Sequence, residues 1–401
     1  MRRVLPAAAV ATVVLVAGLL YGFAEPGRYL GLAEAWGAAP FRTPFLDMHG
    51  VTSVVQCYRL GFDVFVQNPC DVFGRTHGYS PLWLRLSVLP LSAAWDVPLG
   101  IASIVVFLAS LLLLPPGRGW PQVLLITLAS LSSATMFALE RANVDLLVFV
   151  MAVLVVRLRW LGPPIALLAG MLKFYPIVLL AVVLRERLAV CLAIGLAALA
   201  VIAVWFAFDG RDIMRAVASV PTMRPFDDNA FGARTLAVDL APLLGWSARD
   251  APLVQIAMIA TMLAVAAWRA KPLRLHALSD NEAGFLLAGC VLLVGCFVLA
   301  QNVSYRGIFL LFVLPALAVL RWHGTLGLSM LLMWNGALHR LVELAATAWG
   351  IDTRPDGPLL FGYWLVHEAA WWVLITLLTT LLLRLIWESR AWRGLTWTGP
   401  M

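Results

Sequence analysis

The polar residues of this chain that could do chemistry are confined to a few short stretches between long apolar runs. The first stretch holds Asp47-Met48-His49, Cys57-Tyr58-Arg59, Asp63, Asn68-Pro69-Cys70-Asp71, Arg75 and Tyr79-Ser80-Pro81. The next is Glu140-Arg141-Ala142-Asn143-Val144-Asp145, followed by Lys173-Phe174-Tyr175-Pro176. Two more contain Arg224, Asp227, Asp228 and Arg234, and then Gln301-Asn302-Val303-Ser304-Tyr305-Arg306. Asp47 ends an apolar approach, Pro44-Phe45-Leu46, that could set a carboxylate at a membrane surface, where it could serve as a general base. The plainer reading of Asp47 is a helix cap. Arg141, Lys173 and Arg306 suit a pyrophosphate or phosphodiester, arginine as a fork and lysine as a point charge. Each could instead pair with a neighbouring acid or a lipid phosphate. Asp47-x-His49 offers two ligands to a divalent metal, but two ligands do not make a site, so no metal is expected. Glycine-rich phosphate loops, HExxH, GxSxG and CxxC are absent, so there is no sign of nucleotide chemistry.

The elements that must position these residues are set by composition. Of 401 residues, 62% are apolar and 13% charged, against about a quarter charged in a soluble domain. This excludes a soluble cytoplasmic enzyme and a disordered chain. The net charge of +7 comes from single or paired basic residues at the ends of apolar runs, with no basic block, so a nucleic-acid partner is excluded. Apolar runs near 4–23, 97–114, 121–138, 143–156, 187–207, 251–268, 283–300, 307–320, 324–342 and 364–386 read as helices. The expectation is an all-α polytopic membrane protein of about ten spans, one domain over 1–401.

The first run follows Arg2-Arg3 and lacks a good cleavage site at Tyr21-Gly22-Phe23-Ala24, so it reads as an uncleaved anchor with a cytoplasmic N-terminus. The short connectors then assigned to the cytoplasm carry Arg118, Arg157, Arg159, Arg185, Arg187, Arg269, Lys271, Arg274 and Arg321, with few acids, as the positive-inside rule requires. Two long loops, 24–96 and 209–250, fall outside, and 387–401 is a cytoplasmic tail. Residues 160–184 lie between two basic pairs. Pro176 interrupts them, which points to a re-entrant pair of half-helices with Lys173 and Tyr175 at the tip; the alternative is one kinked helix with Lys173 snorkelling.

Asn335, His339 and Glu343 recur at i, i+4 and i+8, as a buried stripe holding helices together or a sugar-binding face. His367-Glu368 reads as a surface pair. Cys191, Cys290 and Cys296 read as buried small hydrophobes; Cys57 and Cys70 share a loop and could bridge if it lies outside the cytoplasm. Trp36, Trp83, Trp95, Trp246, Trp349 and Trp364 lie near run ends, as an interfacial belt would place them.

The first loop, with Asp47, Tyr58-Arg59-x-Gly61-x-Asp63, Asn68-Pro69-Cys70-Asp71 and Tyr79-Ser80-Pro81-Leu82-Trp83, resembles the opening of multispanning GT-C glycosyltransferases. It is most similar to the bacterial polyprenyl-phosphate-mannose-dependent alpha-mannosyltransferases, whose loop reads "YR…G.DPY…YPPL". Glu140-Arg141-x-Asn143-x-Asp145 stands where that family has a "GQ.N" turn, and Lys173-Phe174-Tyr175-Pro176 matches its "K.YP" element. The resemblance covers roughly 45–185; Ser80 replaces a proline and Glu140-Arg141 replaces Gly-Gln. It implies a GT-C-like fold in an inner cell membrane, with its active face outward. The implied reaction is inverting transfer of mannose or another sugar from a polyprenyl phosphate to a lipid- or glycan-linked acceptor, a metal being optional. Asp47 would be the base, and Arg141, Lys173 and Arg306 would hold the donor phosphate. His49, Arg59, Asp63, Asp71, Tyr79, Glu140, Asn143, Asp145, Tyr175, Asp228, Arg234 and Tyr305 would contact substrate. A flippase of lipid-linked precursors is the rival reading, although no internal repeat of the kind many transporters carry is visible.

Overall fold

The computed structural model describes residues 2–23, 26–38, 40–41, 43–220, 223–247, 249–299 and 301–396; residues 397–401 of the expected tail lie outside the described residues. Helix dominates, and among the described residues the one strand pairing is antiparallel, Ala230–Phe231 against Asn302–Val303. Among the described residues, six helices are long and apolar enough to cross a membrane: Leu5–Phe23, Ala93–Leu111, Leu188–Ala218, Asp250–Ala270, Asp280–Leu299 and Pro358–Trp387. Trp120–Ser130 and Ser133–Arg141, bent by 45°, add a seventh if they form one broken span. The chain is thus a polytopic helical protein, with fewer full-length spans than its apolar runs suggest.

The shortfall has local causes. The 143–156 run forms Val144–Arg157, 14 residues or about 21 Å at 1.5 Å per residue, short of a hydrocarbon core of ~30 Å. The 307–320 run opens as the 3-10 turn Ser304–Phe309 before Leu310–Val319. The 324–342 run breaks at Trp334 into His323–Met333 and Asn335–Ala348. Backbone packing at the break is close: a Cβ on Gly336 would lie 2.2 Å from the Gly37 carbonyl oxygen. The second expected loop is partly helix, because Leu188–Ala218 continues past 209. There Asp209 accepts a bond from Arg85, and Arg215 reaches Asp212 one turn away.

The chain divides into two compact units. Unit 1 comprises Met1–Arg42, Leu111–Ala138 and Met223–Trp387. Its centre is aromatic: Phe231, Phe285, Phe297, Phe309, Phe312, Trp364 and Trp371 are fully buried. Trp364, expected in an interfacial belt, instead packs edge-on against Phe226, ring centroids 5.1 Å apart, whereas Trp349 is exposed. Unit 2 comprises Thr43–Ser110, Leu139–Thr222 and Glu388–Met401. Its Leu188–Ala218 helix exposes Leu192, Leu196, Leu199, Val204, Phe206 and Phe208, the all-round apolar surface that lipid would cover. Gly162–Lys173 and the 3-10 helix Tyr175–Arg185 fold back on one another about Phe174. A Cβ on Gly170 would meet the backbone of Ile177 at 2.8 Å, so the two arms touch. The segment is a hairpin, as its proline and basic flanks suggest.

Candidate functional site

Unit 2 gathers most of the expected site residues at three chain reversals. The Leu46–Arg59 helix starts after Phe45, whose φ of 58° is in the left-handed region, a costly place for a bulky side chain. Two anchors hold it there. The Phe45 N–H donates to the Glu140 carbonyl at 3.0 Å, and the ring lies over Gly100, where a Cβ would come within 2.5 Å of it. Asp47 therefore stands in the first helical turn, where the helix dipole favours a carboxylate. Phe45, with no side-chain cap, takes the capping position, so Asp47 is not a cap.

The second reversal is at Ala142, φ 44°, before the Val144–Arg157 helix. Asn143 caps that helix: its Oδ1 accepts from the Asp145 N–H at 2.8 Å. Its Nδ2 donates to Asp47 Oδ2 at 2.6 Å. The third reversal is at Phe174, φ 60°, just after Lys173. Lys173 Nζ donates to Asn143 Oδ1 at 2.8 Å and pairs with Asp145 Oδ1 at 2.8 Å. The Tyr175 hydroxyl donates to the same Asp145 oxygen at 2.6 Å. The Tyr79 ring centroid lies 5.5 Å from Lys173 Nζ. Asp47, Asn143, Lys173, Asp145 and Tyr175 thus form one continuous network. Three of the five non-glycine residues with positive φ among those described, Phe45, Ala142 and Phe174, border it. Backbone strain of this kind persists where the surroundings over-determine it, and it concentrates at functional sites.

On the other side of Asp47, Arg75 Nη1 is 3.7 Å from Oδ1. Arg75 is fixed in turn by Asp71, whose carboxylate accepts from Nε and, at 2.7 Å, from Nη2, while Nη2 also donates to the Leu46 carbonyl at 2.8 Å. Burial opposes ionisation of Asp71, but the bonds from Arg75 and from the Phe73 N–H outweigh it and hold the carboxyl below its usual range. Glu140 Oε2 lies 3.3 Å from Arg141 Nε. The Asp47 side chain is 16% exposed. A carboxylate oriented by an amide and an arginine, yet open on one side, has the geometry of a proton acceptor.

Other expected residues do structural work. His49 is buried: Nδ1 bonds Asp96 Oδ2 at 2.8 Å, and Nε2 accepts from the Val72 N–H at 3.3 Å. Both ring nitrogens are engaged away from Asp47, so His49 is neither a second base nor a metal ligand with Asp47. Arg59 donates to the Leu89 and Leu91 carbonyls and ties down the end of its helix. Asp63 pairs with Arg215, whose hydrogen bond lowers its pKa. A disulfide joins Cys57 to Cys70, and no group of three or more metal-ligating side chains occurs among the described residues.

Asp228, Arg234, Tyr305 and Arg306 belong to unit 1. Asp228 Oδ2 is 3.3 Å from His339 Nδ1, with Glu343 3.9 Å from the same nitrogen. Tyr363 donates to Asn335 Oδ1 at 2.7 Å, and Asn335 Nδ2 to the Asp228 carbonyl at 3.2 Å. The Asn335–His339–Glu343 stripe therefore does bind neighbouring segments together. Arg234 is exposed, Tyr305 packs edge-on to Phe137, and Arg306 lies in the Ser304–Phe309 turn. His367 and Glu368, expected at the surface, are buried. Two residues went unselected by sequence reasoning: Arg75, which had no signal beyond its place near Asp71 in the first polar loop, and Glu368, which had none beyond its place in an apolar run. No protein-family model, characterised protein or solved structure matches the chain.

Proposed function

We propose that the chain is a membrane glycosyltransferase that moves a sugar from a polyprenyl-phosphate donor to a lipid- or glycan-linked acceptor on the outer face of the cell membrane. The observation that carries this reading is the set of bonds orienting Asp47, from Asn143 on one oxygen with Arg75 beside the other, inside a strained and interconnected site. Asp47 takes the acceptor hydroxyl proton as that oxygen bonds to carbon 1 of the sugar from the face opposite the phosphate. The bond from carbon 1 to the phosphate oxygen breaks, and the leaving polyprenyl phosphate keeps the electron pair, which inverts the centre. In unit 2 the candidate cations for the phosphate are Arg141, beside Glu140, Arg75, held by Asp71, and Lys173, held by Asp145 and Asn143. Arg306 lies in unit 1 and is given no part here.

The resemblance of short motifs within residues 45–185 to those of GT-C enzymes supports this reading, and no nucleotide or metal enters it. The Cys57–Cys70 disulfide favours an oxidising compartment for this loop. The rival, a flippase of lipid-linked precursors, draws on the buried His367–Glu368 pair, since ionisable groups within spans commonly mark transport paths. Mass spectrometry of envelope glycans and polyprenyl-phosphate sugars, with and without the protein, separates the two. Accumulated donor with a truncated glycan is expected; intact lipid-linked glycan trapped inside would overturn the transferase reading.

A further inference from the structure

Glu368 is the eleventh residue of the Pro358–Trp387 helix and is 0% exposed. Neither carboxylate oxygen has a hydrogen-bond partner among the described residues. The nearest cationic candidate, His367 Nδ1, lies at 3.6 Å, beyond hydrogen-bond range. His367 is 4% exposed, and its Nε2 accepts from the Trp371 indole at 3.0 Å. The Glu368 side chain is thus buried with no hydrogen-bond partner among the described residues and with His367 beside it. An ionised carboxylate cannot be kept there cheaply: stripping it of water costs several kcal/mol without compensation. As the neutral acid, Glu368 would carry no such penalty.

Unit 1 holds further acids and imidazoles. Asp239, on the Ala233–Leu244 helix, is buried, and its Oδ2 accepts from the Phe226 N–H at 3.0 Å. Asp228, in the loop after Met223, lies 3.3 Å from His339 Nδ1. His339 keeps 18% of its side chain exposed. The remaining titratable neighbours of these groups are Asp227 in the same loop, Glu343 on the Asn335–Ala348 helix and Tyr363 on the helix of Glu368 itself. The adjoining apolar helices bring charged residues only at their ends, Asp250 and Arg269 on one and Asp280 and Glu282 on the other, and His323–Met333 brings His323 at its start. Burial pushes the Asp239 carboxyl up to about 6, opposed by the Phe226 N–H that bonds it.

We propose that unit 1 contains a proton-binding site within the Pro358–Trp387 helix, Glu368 holding the proton beside His367. The net event is the addition of one solvent proton to one carboxylate oxygen, so it needs no co-reactant. The site is independent of the chemistry assigned to Asp47, and failure of either leaves the other standing.

Infrared spectroscopy of the purified full chain in lipid nanodiscs tests it. At pH 7 the wild type is expected to show absorption from a protonated carboxyl, which Glu368→Gln loses and the Asp228→Asn/Asp239→Asn variant keeps. A folded Glu368→Gln protein whose spectrum superimposes on wild type in that region would overturn the proposal. If Glu368→Gln does not fold, wild type and the double variant decide: absence of the band in wild type, or its loss from the double variant, would overturn it.

Discussion

Lys173 offers a sharp quantitative prediction, because its two readings differ by several kcal/mol. A snorkelling lysine would lose little on replacement by methionine, which preserves most of the apolar stem. The structure instead buries Lys173 to 7% exposure and pairs it with Asp145, which is 0% exposed. In Lys173→Met, Asp145 keeps the Tyr175 hydroxyl but loses its counter-charge. Removing one member of a buried pair costs about 3–5 kcal/mol, mostly the penalty of the charge left behind. Asp145→Asn should cost a similar amount by leaving the buried ammonium without its counter-charge. The double variant leaves no unpaired charge, so its cost should fall below the sum of the singles by up to about 3 kcal/mol. Equilibrium unfolding of the four proteins in one detergent measures the cycle. Single-variant costs below about 1 kcal/mol, adding without interaction, would refute the buried network and return Lys173 to a snorkelling role.

Arg75→Ala should destabilise by about 2–3 kcal/mol, since it strips the charge-assisted bonds from buried Asp71. Arg75→Lys should not restore stability, because both Nε and Nη2 engage the carboxylate as a fork; thermal unfolding checks both. Mass spectrometry under non-reducing conditions should find Cys57 joined to Cys70. The Cys57→Ser/Cys70→Ser variant should lose about 3 kcal/mol, the scale for a loop of this length. Asp239 has a folded pKa raised to about 6 from an ordinary 3.8, so its contribution is intact below 3.8 and is lost as pH rises through 6. Asp239→Asn, which keeps an acceptor for the Phe226 N–H, should therefore match wild type near pH 4 and exceed it by about 1–2 kcal/mol above pH 6, after allowance for solvent screening; unfolding at the two pH values checks this.

The apolar runs announced the helical class and most helix positions, because hydrophobicity and length are local properties. They suggest more spans than the helices of spanning length found among the described residues, since runs such as 324–342 break, here beside the close approach of Gly336 to Gly37. The hairpin at Phe174 was legible from Pro176 and the flanking basic pairs, since proline acts on its own backbone. The site was half legible. Asp47, Asn143, Asp145, Lys173 and Tyr175 stood out by residue type, and the structure brings them into one network. His49 misled because Asp47-x-His49 looks like a pair, although residues two apart on a helix face different ways. Its partner Asp96 is 47 residues distant. His367 and Glu368 misled in the opposite sense: charge suggested a surface, and only the helices packed around them reveal burial.

The central claim is that Asp47 removes the acceptor proton in sugar transfer, and its most direct test is turnover by Asp47→Asn. Asparagine can still accept the bond that Asn143 Nδ2 now donates to Asp47, so the network should survive. Purified wild type and variant would be compared in transfer of labelled sugar from a polyprenyl-phosphate donor, with thermal unfolding run alongside. Turnover is predicted to fall by roughly 10²–10⁴-fold, the range for loss of a general base, with donor binding and melting temperature little changed. A variant that transfers sugar at close to the wild-type rate would contradict the assignment.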